Sequence, residues 1–324
     1  MNIDPLKDQP RLLLQAKLKP IQGSRFQPTG FPDLGAATFD APGDKKMLLV
    51  ESAQSMANRL ETVCWDSVAD DWIAALKGLP LVVVQDKAGK SLTNSVLEAH
   101  RLNSVYIKRA EAGRLHLQLK AEIIPEEDRP IDLKRLCSVL LKYDVNSLIH
   151  GVFLETMDGR LRLPRALTSF IEASDVHVVA SGGVKNDRID ADKSIKLPET
   201  AKGVSTSGDE GRQGNVPFHR EEFTGSMIAF FNLDLALIRG FGLGPDAEKM
   251  LVALALFKIQ RFLRDGLRLR TACDLEIDGE LAVQTPKGFA IPSLAELEKE
   301  LPALIKAASA GFAKPAVTIV KFEE

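Results

Sequence analysis

The stretch Leu12-Leu-Leu-Gln-Ala-Lys-Leu18 has leucine or alanine at every second position. Because successive side chains of a strand point to opposite faces, this alternation predicts a β-strand with one buried face. A loop rich in glycine and proline follows at 21–35, and then a short apolar run at 47–50. Ser52 is a favourable helix N-cap, and apolar residues recur after it at helical spacing. The chain is therefore predicted to begin as strand, loop, strand and helix.

Strand and helix patterns continue along the rest of the chain. Apolar alternation and β-branched runs predict strands at 81–84, 115–121, 148–154, 176–180, 223–233, 267–275 and 316–322. Helical spacing predicts helices at 93–102, 133–141, 246–264 and 294–307. Between 181 and 217 the periodicity is lost, which is typical of a long mobile insertion. We expect an α+β fold: one domain over 1–324 with an inserted segment at 181–217.

Composition excludes several classes of protein. The 324 residues are 45% apolar, enough for a sizeable core, and the formal net charge of -2 argues against a uniformly basic nucleic-acid coat. Cys64, Cys137 and Cys273 are far apart and odd in number, as expected for reduced thiols in a cytoplasmic protein. The longest apolar run, 250–257, is much shorter than the ~20 residues that span a bilayer. We therefore expect no membrane association, metal or cofactor.

Two polar clusters are candidate sites for a phosphate or a ribose. The first follows the first strand and combines hydrogen-bonding side chains, a cation and an aromatic ring: Gln22, Ser24, Arg25, Phe26 and Gln27. The second occupies the first turns of the next helix, where free backbone amides favour an anion: Ser52, Gln54, Asn58 and Arg59. Taken alone, the first cluster is better interpreted as an ordinary surface loop, and the second as solvated helix surface with capping.

Motifs for nucleotide-dependent or metal-dependent catalysis are incomplete. Gly89-Lys-Ser91 resembles the end of a phosphate-binding P-loop, but Val84 stands where that motif needs its first glycine. His219-Arg-Glu-Glu222 lacks the two histidines, four residues apart, that zinc hydrolases use. His100 and His219 remain open as an acid–base pair of a metal-dependent ribonuclease, which is the alternative to a binding role.

Longer blocks of sequence resemble one known family. They are FQPTGFPDLG (26–35), ESAQSMANRL (51–60), LEAHRLNS (97–104), SGGVKN (181–186), NVPFHREEF (215–223), FNLDL (231–235) and GLRLRTACD (266–274). In these blocks the chain resembles the type I-U (also called I-G) CRISPR-associated RAMP protein, the backbone subunit of a Cascade-like effector complex. The resemblance runs from about residue 20 to 275.

The resemblance implies a ferredoxin-like, RRM-related core with a thumb-like β-hairpin and mobile loops. It implies a non-catalytic subunit that binds crRNA and stacks in several copies along it, with target DNA read by base pairing to the guide. Its partners would be crRNA, target DNA through the guide duplex, further copies of itself and other Cascade-like subunits. Besides the two clusters, residues of the matched blocks are expected to contact RNA: His100, Arg101, Lys185, Asn186, His219 and Arg220.

Overall fold

The structure is a computed structural model that describes residues 1–31, 34–125, 130–157, 159, 161–186 and 215–322. Its helices are α1 (Ala53–Thr62), α2 (Val105–Arg109), α3 (Arg114–Ile123), α4 (Leu133–Tyr143), α5 (Val145–His150), α6 (Leu235–Gly240), α7 (Pro245–Asp265) and α8 (Leu294–Ala308). The strands before α1 are β1 (Arg11–Pro20), β2 (Gly30–Phe31), β3 (Gly35–Ala36), β4 (Thr38–Ala41) and β5 (Lys45–Glu51). Those between α1 and α6 are β6 (Trp65–Asp66), β7 (Asp71–Trp72), β8 (Leu81–Gln85), β9 (Ser91–Asn94), β10 (Val152–Leu154), β11 (Leu161–Leu163), β12 (Leu167–Asn186) and β13 (Asn215–Asp234). The last are β14 (Arg268–Arg270), β15 (Cys273–Ile277), β16 (Ala282–Thr285) and β17 (Val317–Lys321).

The main sheet is antiparallel and has the strand order β14-β15-β1-β13-β12-β5-β4, with β16 also paired to β1. In β1 the alternating residues Leu12, Leu14 and Ala16 are fully or almost fully buried, as the sequence pattern predicts. They lie opposite Leu233, Phe231 and Ala229 of β13, which are also buried. The centre of this sheet is therefore fixed by its apolar face.

Helices α1 and α7 pack against each other and against the sheet, α1 on β12 and α7 on β15. Every residue of α7 from Met250 to Ile259 is buried, and α8 covers the helix from outside. A helix that is apolar on all sides needs such cover, because no side of it can face water at low cost. A second, smaller sheet, β17-β8-β9, joins the end of the chain to its first third through the parallel pair β17–β8.

Strands β12 and β13 form a long hairpin. Their pairing runs from Leu167 opposite Leu233 to Asn186 opposite Asn215, with a bulge between Ser174 and His177. Among the described residues, no third strand pairs with the hairpin beyond the bulge except through the bridge between Phe26 and Phe223. Residues 187–214, most of the predicted insertion at 181–217, lie outside the described residues. Its first six residues belong to β12, so the strand continues further than periodicity indicates.

The prediction of mixed helices and strands is confirmed, but four local predictions are wrong. The predicted strand at 267–275 is two antiparallel strands, β14 and β15, separated by a turn. Residues 115–121 are helical, because Leu115, Leu119 and Ile123 form the buried face of α3 while Leu117 is exposed. Residues 93–102 are not one helix, since β9 ends at Asn94 and a turn follows. The predicted strand at 148–154 divides into the end of α5 and β10 at Gly151, whose φ of 76° stops the helix.

Candidate functional site

The loop after β1 forms one wall of an open groove of about 450 Å³. We call it the loop groove, and its polar lining residues are Gln22, Ser24, Arg25, Glu222, Arg268, Thr271 and Asp274. Backbone hydrogen bonds hold the two walls together, from Ile21 N to Asp274 O at 3.0 Å and from Gln27 N to Ala272 O at 2.7 Å. The three predicted residues Gln22, Ser24 and Arg25 are exposed in it. Their side chains are therefore free to meet a ligand.

Arg25 and Arg268 supply the positive charge of the loop groove. The Arg25 side chain is 59% exposed and pairs with Glu222 at 3.2 Å. The Arg268 side chain is 72% exposed, and its guanidinium lies 4.0 Å from Asp274. The pair of Arg268 and Asp274 is exposed on both sides and contributes little to stability, so Arg268 can exchange its carboxylate for a phosphate at low cost. The Glu222 side chain is only 7% exposed, so Arg25 has to keep this partner while its exposed N–H groups meet a phosphate.

Phe26 corrects the expectation of a stacking ring. The side chain is fully buried, and its backbone exchanges two 2.9 Å hydrogen bonds with Phe223. A ring in the core cannot stack on a base, so Phe26 anchors the loop to the root of the hairpin instead. Gln27 is half-buried, and its carbonyl accepts a 2.8 Å hydrogen bond from Arg270 Nη1, which also fixes the loop.

The start of α1 is built as the sequence predicts. The Ser52 hydroxyl accepts a hydrogen bond from Ser55 N at 3.3 Å, so Ser52 is the N-cap. Its side chain is thereby engaged in capping. Gln54 is exposed and Asn58 half-buried on the same side of the helix, where both line a larger cavity described below.

Arg59 is bound mainly within the protein. Its Nη2 donates to Leu269 O at 2.7 Å and lies 3.4 Å from Glu51 Oε2, a carboxylate that also accepts from Arg270 Nη2. Arg59 also lines a groove of about 380 Å³ together with Arg261 and Arg268, the arginine groove. Because Arg268 lines both grooves, the loop groove and the arginine groove adjoin. The expected phosphate contact of Arg59 stays a prediction, and the structure adds Arg261 and Arg268 to its surroundings.

A further cavity, of about 660 Å³, lies beside α1. We call it the α1 cavity, and its lining includes Gln54, Asn58, His100, Lys108, Arg162 and Arg165. His100, Arg162 and Arg165 are exposed at its rim. The structure thus brings residues of both α1 and the block at 97–104 together at one place. Arg162 and Arg165 lie outside the quoted blocks and were missed by sequence reasoning.

Arg101 also lines the α1 cavity but is tied into the core. Its Nε and Nη2 donate to the two carboxylate oxygens of Glu61 at 2.6 and 2.7 Å, and its Nη1 donates to Gly151 O at 3.2 Å. Both side chains are nearly inaccessible, at 8% and 1% exposure. The expected contact between Arg101 and RNA is corrected, because its guanidinium is buried and three of its N–H groups are already bound within the protein.

Behind Arg101 lies a buried polar cluster that the sequence pattern conceals. Lys258 Nζ donates to Asn146 Oδ1 at 2.6 Å and to His150 Nε2 at 2.9 Å, and all three residues are at most 1% exposed. Burial lowers the pKa of Lys258. Burial, followed by the charge of Lys258, lowers the pKa of His150 well below its ordinary value. The only signal in the sequence is one lysine in the apolar run of α7.

The remaining predicted RNA contacts lie on the outer hairpin. Lys185 and Asn186 pair in register with Val216 and Asn215 near the end of the described strands. His219 and Arg220 pair with Gly182 and Ser181 on the opposite strand. The side chains of these four predicted residues are outside the described part, so their contacts stay predictions.

The described residues show neither a metal centre nor a membrane span. Over the described ranges, no group of three or more His, Cys, Asp or Glu side chains could hold a metal ion. Nor do those ranges contain a helix that is long and apolar enough to cross a bilayer. The three cysteines are buried, and burial raises the pKa of the Cys64 thiol to about 11 and of the Cys137 thiol to about 12. None of them is therefore poised as a nucleophile.

Comparisons with known proteins identify the family of the chain. No curated protein matches it. Among solved structures, a chain of "CRISPR RNA-guided surveillance complex, pre-nicking" aligns at a TM-score of 0.37 and 12% identity, over 92% of this chain and 89% of that one. Csc2 from Thermofilum pendens aligns at a TM-score of 0.30 and 11% identity, over 94% and 80%. The sequence profile described as "CRISPR-associated protein GSU0053" matches residues 12–178, just over half of the chain. The chain therefore belongs to the CRISPR-associated GSU0053 family of Cas proteins.

Proposed function

We propose that this chain is the guide-RNA-binding backbone subunit of a type I CRISPR effector complex of the I-U (I-G) subtype. It binds the crRNA by its sugar–phosphate backbone, stacks with further copies along the RNA and leaves the bases free to pair with target DNA. One observation carries the proposal: a chain of a CRISPR-associated family has two adjoining open grooves that share Arg268. Exposed arginines beside uncharged hydrogen-bonding side chains are what backbone recognition of RNA requires.

The order of the central strands supports an RRM-related core. Strands β1, β12, β13 and β15 alternate with α1 and α7 as β-α-β-β-α-β, and they lie side by side as β15-β1-β13-β12. This connectivity supports the proposed ferredoxin-like arrangement. The other strands of the main sheet extend this core at its two edges.

The long hairpin supports the thumb of the proposed RAMP fold. Beyond the bulge at Ser174–His177 the paired strands continue to Asn186 and Asn215. Strands rise ~3.3 Å per residue, so this outer part extends roughly 30 Å. A ribbon of that length can reach between bases of a guide–target duplex, which is the role proposed for it.

Stacking of copies would be heterologous, with one face of each subunit against a different face of the next. Such contacts do not close on themselves, so the length of the RNA limits the filament. The net charge of -2 fits this arrangement, because a basic RNA groove can be balanced by acidic surface elsewhere on the subunit. We propose a binding subunit rather than an enzyme, and the ribonuclease alternative is tested below.

Co-purification tests the proposed function. The tagged chain is expressed in a host that carries a CRISPR array of the matching type, and the bound nucleic acid is extracted and sequenced. RNA of discrete length with ends derived from the repeats is the expected result. A folded protein that carries no nucleic acid and also ignores added crRNA would contradict the proposal.

A further inference from the structure

The α1 cavity carries a positive charge that its own acids do not balance. Four lining side chains are cationic and two are acidic, Glu98 and Glu155. Glu155 lies 3.7 Å from Lys108, and Glu98 accepts the hydroxyls of Thr93 and Ser104 at 2.7 Å each. Arg101 is balanced from behind by Glu61. Arg162 and Arg165 remain, and in the described part of the chain no carboxylate lies within salt-bridge distance of either.

These two arginines are placed differently within the cavity. The guanidinium of Arg162 stacks on the ring of Phe153, 4.9 Å from its centroid. A stacked guanidinium keeps its N–H edge free for a bidentate contact with an oxyanion. Burial and the nearby charge of Arg101 lower the pKa of Arg165, so an anion beside it would relieve an existing repulsion.

Two buried polar atoms of the cavity lining are without a hydrogen-bond partner among the described residues: Asn103 Oδ1 and His150 Nδ1. His150 is 1% exposed, and its Nε2 accepts from Lys258, so a neutral ring carries its proton on Nδ1. The residues around the cavity thus hold one unused acceptor and one unused donor. Buried polar atoms without partners are rare in folded proteins, and each asks for an explanation.

A nucleotide combines the groups that these atoms need. We propose that the α1 cavity binds one nucleoside monophosphate unit, with its phosphate at Arg162 and Arg165 and the polar groups of its nucleoside at Asn103 and His150. The volume of about 660 Å³ lies within the range of roughly 300–1,000 Å³ that is usual for small-ligand sites. The apolar side chains Val152 and Phe153 provide a wall for the base. The unit is either a free nucleotide or one nucleotide of a bound RNA, and in the second case the site rests on the proposed function and adds a contact outside its two grooves.

Binding of single nucleotides by the full-length chain tests the site. AMP, GMP, CMP, UMP and inorganic phosphate are each titrated by calorimetry, and a single-stranded RNA of about 20 nucleotides by fluorescence anisotropy. Arg165→Gln is the test variant, because the residue is exposed and its loss does not disturb the core. Arg109→Gln is the matched control, since Arg109 is an exposed arginine next to Lys108 that does not line the cavity.

We expect at least one monophosphate to bind more tightly than phosphate alone, and Arg165→Gln to weaken it by about tenfold, as for the loss of one charge-assisted hydrogen bond. Arg109→Gln should leave it unchanged. If Arg165→Gln weakens RNA as well, the unit belongs to bound RNA; if only the monophosphate is affected, the ligand is a free nucleotide.

Two results would each refute the site. In the first, no monophosphate binds at millimolar concentration and the two variants bind RNA with the same affinity. In the second, Arg165→Gln and Arg109→Gln weaken monophosphate binding equally. The proposed function fails separately. A chain that binds a monophosphate through Arg165 but binds no RNA keeps the cavity site and loses the guide-RNA role.

Discussion

Replacing Arg101 by alanine should destabilise the fold strongly, although the sequence presents this residue as an RNA contact. The change removes both hydrogen bonds to Glu61 and the one to Gly151 O, and it leaves a carboxylate buried at 1% exposure without its cation. Breaking a buried pair by removing one partner costs about 3–5 kcal/mol. We expect a loss of free energy of unfolding in that range at neutral pH.

The loss should depend on pH, with a sign that follows from Glu61. Burial raises the pKa of Glu61, and the charge of Arg101 is the largest effect that lowers it. Without Arg101 the folded-state pKa rises further above the ordinary value of 4.5. Because the folded state then holds its proton to higher pH than the unfolded state, stability falls as the pH rises through the folded pKa. The cost of Arg101→Ala is therefore complete at high pH and shrinks as the pH falls toward 4.5.

Urea unfolding followed by tryptophan fluorescence measures this directly. Trp65 and Trp72 are buried in edge-to-face contact, with centroids 6.0 Å apart, so both report loss of the core. Arg11→Ala is the matched control, because Arg11 pairs with Asp234 at 3.0 Å but is 49% exposed, and such surface pairs contribute no more than about 1 kcal/mol. A loss for Arg101→Ala as small as that of the control, or one independent of pH, would refute the reasoning.

Three further predictions concern the grooves, the hairpin and catalysis. Arg25→Ala and Arg268→Ala should each weaken RNA binding in anisotropy titrations, whatever the RNA sequence, and each should lower the slope of log affinity against log salt concentration by about 1. The control Lys306→Ala, at an exposed lysine, should change neither. Unchanged slopes for both arginine variants would show that the loop groove does not bind RNA. Gly225→Ala should lower the free energy of unfolding by about 1–3 kcal/mol in urea, because an added Cβ would lie 2.8 Å from the backbone oxygen of Ser174 in the bulge. Gly240→Ala should be nearly neutral, because the space around Gly240 is open. Equal effects of the two substitutions would contradict this packing. Labelled precursor RNA incubated with the protein and magnesium should stay intact on a denaturing gel, and clean turnover would favour the ribonuclease instead.

The elements that could be predicted from the sequence are those whose apolar residues fit only the period of a strand or only that of a helix. The alternation in β1 and the long apolar run of α7 each fit one period, and both are found within one or two residues of the predicted bounds. Residues 115–121 fit two periods, because leucines two apart also provide the i, i+4 pair Leu115 and Leu119. Only the packing of α3 against α4 decides between them.

The candidate site shows the same limit for single side chains. Arg25 and Arg101 are equally plausible phosphate ligands by residue type, and both lie within the part of the chain that resembles the family. One is exposed and the other is fixed by Glu61, which lies 40 residues away in the sequence. The β10–β11 hairpin places Arg162 and Arg165 at the α1 cavity, and no local sequence pattern predicts that placement. Contacts with residues far away in the sequence decide which arginines and lysines are exposed, and sequence periodicity does not predict these contacts.

The bulge in the long hairpin sets which way its outer half faces. Asp175 and Val176 on β12 stand opposite the single residue Gly225 on β13, and Asp175 takes a φ of 52°. Side chains alternate with a period of two, so one extra residue exchanges the two faces of β12 from His177 onward relative to its inner half. Deleting that residue would turn the outer side chains from His177 to Ala180 to the opposite face of the hairpin. The bulge therefore shifts the alternation of side chains by one residue, so the residues that β12 directs toward the core and those on the same face beyond the bulge follow different registers.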